Sequence, residues 1–409
     1  MKLKICMLLS SFHYRKSMQV SPEIGICSYL TNFGHEIVWV IWGRSSDTVQ
    51  AGSFNNVQMH VTQRTQYFPN SFIFTRILNK VLDAPRRFYS TLQLFKEGQY
   101  NLIFTRENIV DGLVAAYIKR RYKVHLVLQL CNPLEQEWEI FKIEQRKPKL
   151  LYYLIARFNR FIITRLLHNA DLVIPISEWL KEHLVIQGIS ESKVMAVPEG
   201  VETKIYLGIS GKDICNKYQL HKSRVIVYVG TLGKARYLSV LIQAFSETKR
   251  KRGNMKLLIV GEGSDEENLK ILTTKLKIRN DVIFTGWVPQ EEALGFISAA
   301  DIGISPIPPS SFYKLSSPIK ILEYLAMAKP VVANKEIPEH RKVLEESGGG
   351  ILVPFTPEAF ANAIIKLLDN PQEAAEMGDK GREWVVKNRS YEILARQVEK
   401  GYFKLLEKR

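Results

Sequence analysis

The chain has 409 residues, of which 46% are hydrophobic and 24% charged, and a formal net charge of +16. This length exceeds a single ordinary core and this balance excludes a disordered chain, so two folded domains are expected. No apolar run reaches the roughly 18 residues of a spanning helix, the four cysteines (Cys6, Cys27, Cys131, Cys215) are spaced for neither a disulfide framework nor a zinc site, and no nucleic-acid motif accompanies the charge.

The first segment, MKLKICMLLSSFHYRKS, has basic residues, but its apolar stretch from Ile5 to Leu9 is too short for a signal peptide, which points to a cytoplasmic protein. Lys4 to Leu9 reads instead as a strand. A loop follows, then a helix opened by Ser21-Pro22 and closed by Gly34, before the strand-like HEIVWVIW. Strands NLIFT (101–105), HLVLQL (125–130) and DLVIPIS (171–177) come next, each leading into a helical pattern. Between the last two, from Phe141 to His168, seven basic residues (Lys142, Arg146, Lys147, Lys149, Arg157, Arg160, Arg165) face one acid, Glu144. They interleave with ten aromatic or apolar residues between Leu150 and Ile163. Such mixing suits a helix lying on an anionic membrane surface, and equally a long helix that buries one apolar stripe while its basic side is solvated.

After VMAVPEGVE the scheme restarts with RVIVYVG (224–230), KLLIVGEG (256–263), DVIFTG (281–286), DIGIS (301–305) and PVVA (330–333). The alternation predicts parallel sheets flanked by helices, and the restart predicts two such α/β domains hinged at Pro198-Glu199-Gly200. Ligands of such sheets bind beyond the carboxyl ends of the strands, so the loops there are where chemistry is expected. One of them, VYVGTLGKARYLSVLIQAF (227–245), is a strand, a glycine turn and an amphipathic helix. Free N–H groups at the helix start would attract an anion beside Lys234 and Arg236, although a plain turn with solvated basic residues looks the same. IVGEGSDEENL (259–269) lacks the third glycine of a dinucleotide fingerprint and crowds acids at its helix start, so it reads as a structural turn. That absence also disfavours a two-domain dinucleotide oxidoreductase. In SSPIKILEYLAMAKPVVAN (316–334), Ser317 is expected to cap a helix with Pro318 in its first turn. Glu323 stands out there, a carboxylate in an apolar run that leads into a buried strand.

In order and spacing these segments resemble the family 4 glycosyltransferases, retaining enzymes of the two-Rossmann GT-B architecture. The resemblance rests on GHEIVWV (34–40), ISEWL (176–180), VPEGVETKIY (197–206), VGTLGKARYL (229–238), LLIVGEG (257–263), FTGWVPQEE (284–292), AADIGISP (299–306) and KILEYLAMAKPVVA (320–333). TREN (105–108) followed by LQLCNPLEQE (128–137) is similar to one branch of that family. The fold implied is α/β, with two doubly wound Rossmann-like domains facing across a cleft. An acceptor-binding domain would span 1–198 and a nucleotide-sugar-binding domain 199–385, with a helical segment, 386–409, packing back toward the first. The activity implied is metal-independent transfer of a sugar, with retention, from a nucleotide diphosphate sugar to an acceptor hydroxyl in cell-surface glycan, polysaccharide or glycolipid synthesis. No cofactor beyond that co-substrate is implied. The expected partners are the nucleotide sugar, a glycan or lipid-linked acceptor and an anionic membrane touched peripherally at its inner face, with no nucleic acid.

By resemblance, Glu323 matches the second of two glutamates separated by seven residues and bonds the ribose hydroxyls. Arg236 stands where the family usually has Lys and takes the diphosphate charge, which makes Arg236 and Glu323 the implied catalytic pair. Gly230, Thr231, Lys234, Trp287, Ser317 and Lys320 complete the implied donor site. The acceptor is expected near Ser11 to Gly25 and Asn132 to Glu137, with His13, Arg106, Asn132 and Glu137 as its contacts; Glu135 and Glu137 also suit simple helix-start acids. No metal ligand is implied. Two positions depart from the pattern: the first glutamate is Leu315 and the usual Arg of the glycine turn is Thr231. They put donor identity in question and raise an alternative, a non-catalytic nucleotide-sugar-binding homologue acting as a partner subunit.

Overall fold

The computed structural model describes residues 1–13, 22–44, 52–54, 56–64, 73–144, 149–206 and 208–407. The chain clusters into two units. The first holds Met1–Trp138, Lys147–Pro198 and Leu394–Arg409, and the second holds Glu139–Arg146 and Glu199–Ile393. The stretch Glu139–Arg146, expected in the first domain, thus groups with the second.

Seven strands build the first sheet: β1 (Lys4–His13), β2 (Glu36–Arg44), β3 (Gly52–Phe54), β4 (Val57–Arg64), β5 (Leu102–Arg106), β6 (His125–Leu130) and β7 (Leu172–Pro175). Their order is β3-β4-β2-β1-β5-β6-β7, parallel throughout except for β3 against β4. β5, β6 and β7 are runs of buried residues, as strands of a sheet covered on both faces must be. β3 and β4 go beyond the expected strands. VQMHVTQR does alternate apolar and polar residues, the period of a strand with one wetter face, and Asn56 at φ 64° turns the chain between the two. Arg87, fully buried in the helix Ile73–Glu97, donates to Asp111 at 2.9 Å and to the Val40 carbonyl at 2.6 Å. Paired and hydrogen-bonded in this way, the buried charge ties two helices to β2. The last helix, Tyr391–Leu406, contributes its later part to the same unit, where Glu399 meets His35 at 2.8 Å and Gln397 donates to the Ala196 carbonyl at 2.9 Å.

The second sheet has six parallel strands: β8 (Arg224–Val229), β9 (Met255–Val260), β10 (Val282–Gly286), β11 (Ile302–Ser305), β12 (Val331–Asn334) and β13 (Gly350–Val353). Their order is β10-β9-β8-β11-β12-β13. β13 is a short strand that was not expected. Alternation along β8 and β9 sorts their residues into two cores. Ile226, Tyr228, Leu257 and Ile259 pack with Phe245 and Phe360, whereas Val225, Val227, Leu258 and Val260 pack with Phe296, Leu322 and Leu325. Strand order reverses at β8, between its neighbours β9 and β11, and such a switch point opens a crevice at the carboxyl ends. Among the described residues no helix is long and apolar enough to cross a membrane.

Candidate active site

β8 ends at the switch point, and the chain leaves it through Gly230, whose φ of 149° suits a residue without a side chain. The Gly230 N–H donates to the Val260 carbonyl at 2.9 Å. A side chain on Gly261 would collide with the Gly230 carbonyl oxygen, so the loops after β8 and β9 stack because position 261 is glycine. The Leu232 N–H donates to the Glu262 carbonyl at 2.9 Å and the Asp265 N–H to the Leu232 carbonyl at 2.8 Å. IVGEGSDEENL is therefore a buttress for the glycine turn. Among the described residues the N–H groups of Thr231, Gly233 and Lys234 have no protein acceptor, an arrangement that suits an anion.

Lys234 and Arg236 occupy the short 3-10 turn that follows, Lys234 exposed and Arg236 half-buried. The Arg236 Nε donates to Thr231 Oγ1 at 3.3 Å, and its guanidinium lies 4.8 Å from the ring centroid of Tyr313. Tyr313 belongs to the loop after β11, so this stacking spans the switch point. No carboxylate pairs with Arg236 among the described residues. Its charge is thus balanced by no carboxylate there.

The helix Ile319–Ala326 closes the other side. Ser317 does not cap it: Pro318 takes the cap position with an extended ψ of 110°, and no side chain bonds the first N–H groups. The Ser317 hydroxyl instead accepts from the Glu199 N–H at 3.0 Å and donates to Glu339 at 3.4 Å, and Arg389 holds Glu339 at 2.7 Å. Tyr324 clamps the strand ends, accepting from the Val229 N–H at 2.9 Å and donating to the Ile304 carbonyl at 3.5 Å. His340 is buried and its imidazolium is disfavoured down to about 3 by desolvation. The neutral ring has Nδ1 at 3.1 Å from the Asn334 carbonyl, which needs a donor, so Nε2 is left to accept from Ser305 at 3.1 Å.

Lys320 and Glu323 stand one helical turn apart, both half-buried, and do not touch as an ion pair. Lys320 Nζ lies 4.9 Å from the ring centroid of Tyr228 and borders Gly230. Burial pulls the Lys320 ammonium down to about 7, the Arg236 charge adds to this, and Glu323 opposes it. Burial pushes the Glu323 carboxyl up to about 7, with Lys320 offsetting part of the rise. Hydroxyls donating to Glu323 and an anion beside Lys320 would each restore the ionised form. Trp287 is exposed in the turn after β10, two strands away from β8.

In the first unit Arg106 and Asn132 meet around the ends of β5 and β6. Arg106 donates to the Cys131 sulfur at 3.0 Å, while Glu107 accepts from the Cys131 N–H at 2.9 Å and from Asn132 at 3.4 Å. Glu135 is engaged by Arg160 at 3.0 Å and Gln187 at 3.1 Å, which fits a structural acid better than a base awaiting a proton. The backbones of His13 and Glu137 lie in β1 and the helix Gln136–Ile143, but their side chains are outside the described residues, as is most of the loop from Ser11 to Gly25.

Residues 24–205 match the family described as Glycosyltransferase Family 4, and residues 212–384 match that described as Glycosyl transferases group 1. The chain belongs to the family 4 glycosyltransferases. This glycosyltransferase is 24% identical over 359 residues to an uncharacterised glycosyltransferase of Methanocaldococcus jannaschii, covering 86% of each chain. It is 26% identical over 233 residues to a GDP-mannose-dependent α-(1-6)-phosphatidylinositol monomannoside mannosyltransferase of Mycolicibacterium smegmatis, covering 56% of this chain and 61% of the other. Anabaena HepE in complex with UDP-glucose shares the fold, with a TM-score of 0.70 at 16% identity over 98% of this chain and 100% of that one. The dinucleotide oxidoreductase reading falls with this assignment.

Sequence reasoning passed over Tyr228, Tyr313, Tyr324 and Tyr206 in this glycosyltransferase. Burial holds the Tyr206 phenol neutral well above its ordinary range, and the charge of nearby Glu323 adds to this. Tyr228 had a signal, since a hydroxyl inside a buried strand must find a partner; it donates to the Thr231 carbonyl at 3.1 Å. Tyr313 had none, because only the folded loop brings it beneath Arg236.

Proposed function

We propose that this glycosyltransferase moves a sugar from a nucleotide diphosphate donor to an acceptor hydroxyl, with retention at the anomeric carbon and without a metal. The observation that carries the proposal is the convergence of uncompensated positive groups at the β8/β11 switch point. Arg236 lies over Tyr313, Lys320 borders Gly230 and feels the charges of both Arg236 and Glu323, and the N–H groups of Thr231 and Gly233 belong to the same glycine turn. As the bond to the anomeric carbon breaks, negative charge grows on the leaving diphosphate, and fixed donors stabilise that charge without reorganising. Arg236 suits the phosphate oxygens because its planar fork can bond two of them. Glu323 accepts from the two vicinal ribose hydroxyls, an acceptor-only group meeting two donors. Retention is supported by the resemblance described above. The metal-free reading is supported by the protein's own cations, which supply the charge a divalent ion would otherwise bring.

Guanine and uracil nucleotides are both candidate donors, since one relative is named for GDP-mannose and one structural neighbour holds UDP-glucose. A lipid-linked glycan acceptor is supported by the relative named for a phosphatidylinositol monomannoside. Titration calorimetry against UDP, GDP and ADP sugars tests the donor site. Transfer assays with and without EDTA, with product configuration read by NMR, test the chemistry. Absence of binding to every nucleotide diphosphate would overturn the proposal, and loss of transfer in EDTA would overturn its metal-free part.

A further inference from the structure

We infer that the helix Lys149–Asn169 is a docking surface for anionic lipid bilayers. Its inner side is ordinary core, with Ile163, Leu166 and Leu167 buried, and Leu166 fills the space over Gly112 of the neighbouring helix Ile109–Tyr122. Its outer side is not ordinary. Leu150 is 71% exposed, Leu154 54%, Phe158 60% and Phe161 55%, and their spacing of four, four and three residues aligns them in one stripe. Single exposed apolar residues need no explanation, but a continuous stripe of four large ones marks an interaction site.

Charge decides what the stripe fits. Arg157 and Arg165 emerge along its edges, and the helix from Lys149 to Asn169 contains no Asp or Glu at all. Arg157 leans on Tyr153 and Arg165 on Phe161, so each guanidinium is carried at the border of the apolar surface. Arg160 differs: it is committed to Glu135 at 3.0 Å. A second copy of this chain would set arginine against arginine with no carboxylate to meet either. A layer of anionic headgroups over acyl chains offers apolar contact at the centre and negative charge at the border. From Leu150 to Phe161 the stripe is about 16 Å long, and about 22 Å with the flanking Arg165, enough to lie in the interface but with the wrong composition to cross it. The inference stands on this surface alone and is independent of the sugar donor.

The test uses the full-length protein with two kinds of vesicle, phosphatidylcholine alone and equal parts phosphatidylcholine and phosphatidylglycerol, read by co-sedimentation at low and high salt. Binding is expected only to the anionic vesicles and to weaken with salt. Arg157→Gln with Arg165→Gln should lower the partition coefficient by about fivefold per charge. Leu154→Ser with Phe158→Ser should lower it further, and neither pair should change the circular dichroism spectrum, since all four side chains are exposed. Arg160→Gln should leave binding near wild type. Equal binding to neutral vesicles, no binding to either, or undiminished binding by both double variants would overturn the inference. So would a dimer in solution that the Leu154/Phe158 pair dissolves, since the stripe would then be covered by a second copy.

Discussion

Lys320 carries a large desolvation penalty that the ligand-free protein has no evident use for, and its removal should therefore separate stability from function. Bringing an ammonium from 10.5 down to about 7 corresponds to roughly 5 kcal/mol against its charged form. Solvent reaching this half-buried side chain screens much of that, leaving about 1–3 kcal/mol to recover when an apolar chain replaces it. The unfolded chain keeps the Lys320 proton up to 10.5 and the folded chain only to about 7. Between those values the unfolded state binds more protons, so stability rises with pH, and below 7 the penalty is present in full. Lys320→Met, which retains a flexible chain over Tyr228, is expected to raise the melting temperature of the second unit at pH 6 by roughly 2–12 °C. The gain should be less than half as large at pH 9, where Glu323 is also ionised and has lost its neighbour. Calorimetry at the two pH values measures this. The same variant should bind UDP or GDP at least about tenfold more weakly, because a charge-assisted bond to the diphosphate is gone. A variant that melts lower at pH 6 and binds nucleotide as well as wild type would refute both the desolvation argument and the phosphate role.

Glu323→Ala is expected to weaken nucleotide-sugar binding by about 1–3 kcal/mol in calorimetry with the fold retained; in wild type, binding through this carboxylate should fade as pH drops below about 7, where the free protein protonates it. Arg236→Ala should lower turnover by about a hundredfold with the melting temperature little changed, since its stabilisation is aimed at the departing diphosphate. Arg389→Met should destabilise the protein by about 3–5 kcal/mol in urea, because it strands the Glu339 carboxylate in the core, and adding Glu339→Leu should recover much of that loss. Gly261→Ala should abolish nucleotide binding while Gly253→Ala does not, since only the first collides with the turn that carries Thr231 and Gly233.

What the sequence determined by itself was the alternation. Runs such as HLVLQL and RVIVYVG have few places to go other than a strand covered on both faces, and the helical periods between them require crossovers of one hand, so parallel sheets follow from local pattern alone. Glu323 was legible for a related reason, since a carboxylate in an apolar helix face is too costly to keep without a partner. β4 was legible in principle from its alternation, whereas β3 and β13 are too short to show a period. The tertiary structure decided the rest. Ser317 carries the local signature of a helix cap, yet the extended Pro318 and the buried Glu339–Arg389 pair draw its hydroxyl into a different network. Tyr313 and Arg236 are far apart in the chain and meet only because strand order places β11 beside β8. The same holds for the exposed stripe on the helix Lys149–Asn169. Its composition allows either a buried or a surface-seeking apolar face, and only packing shows which side the core takes, because burial is a property of neighbours and not of spacing.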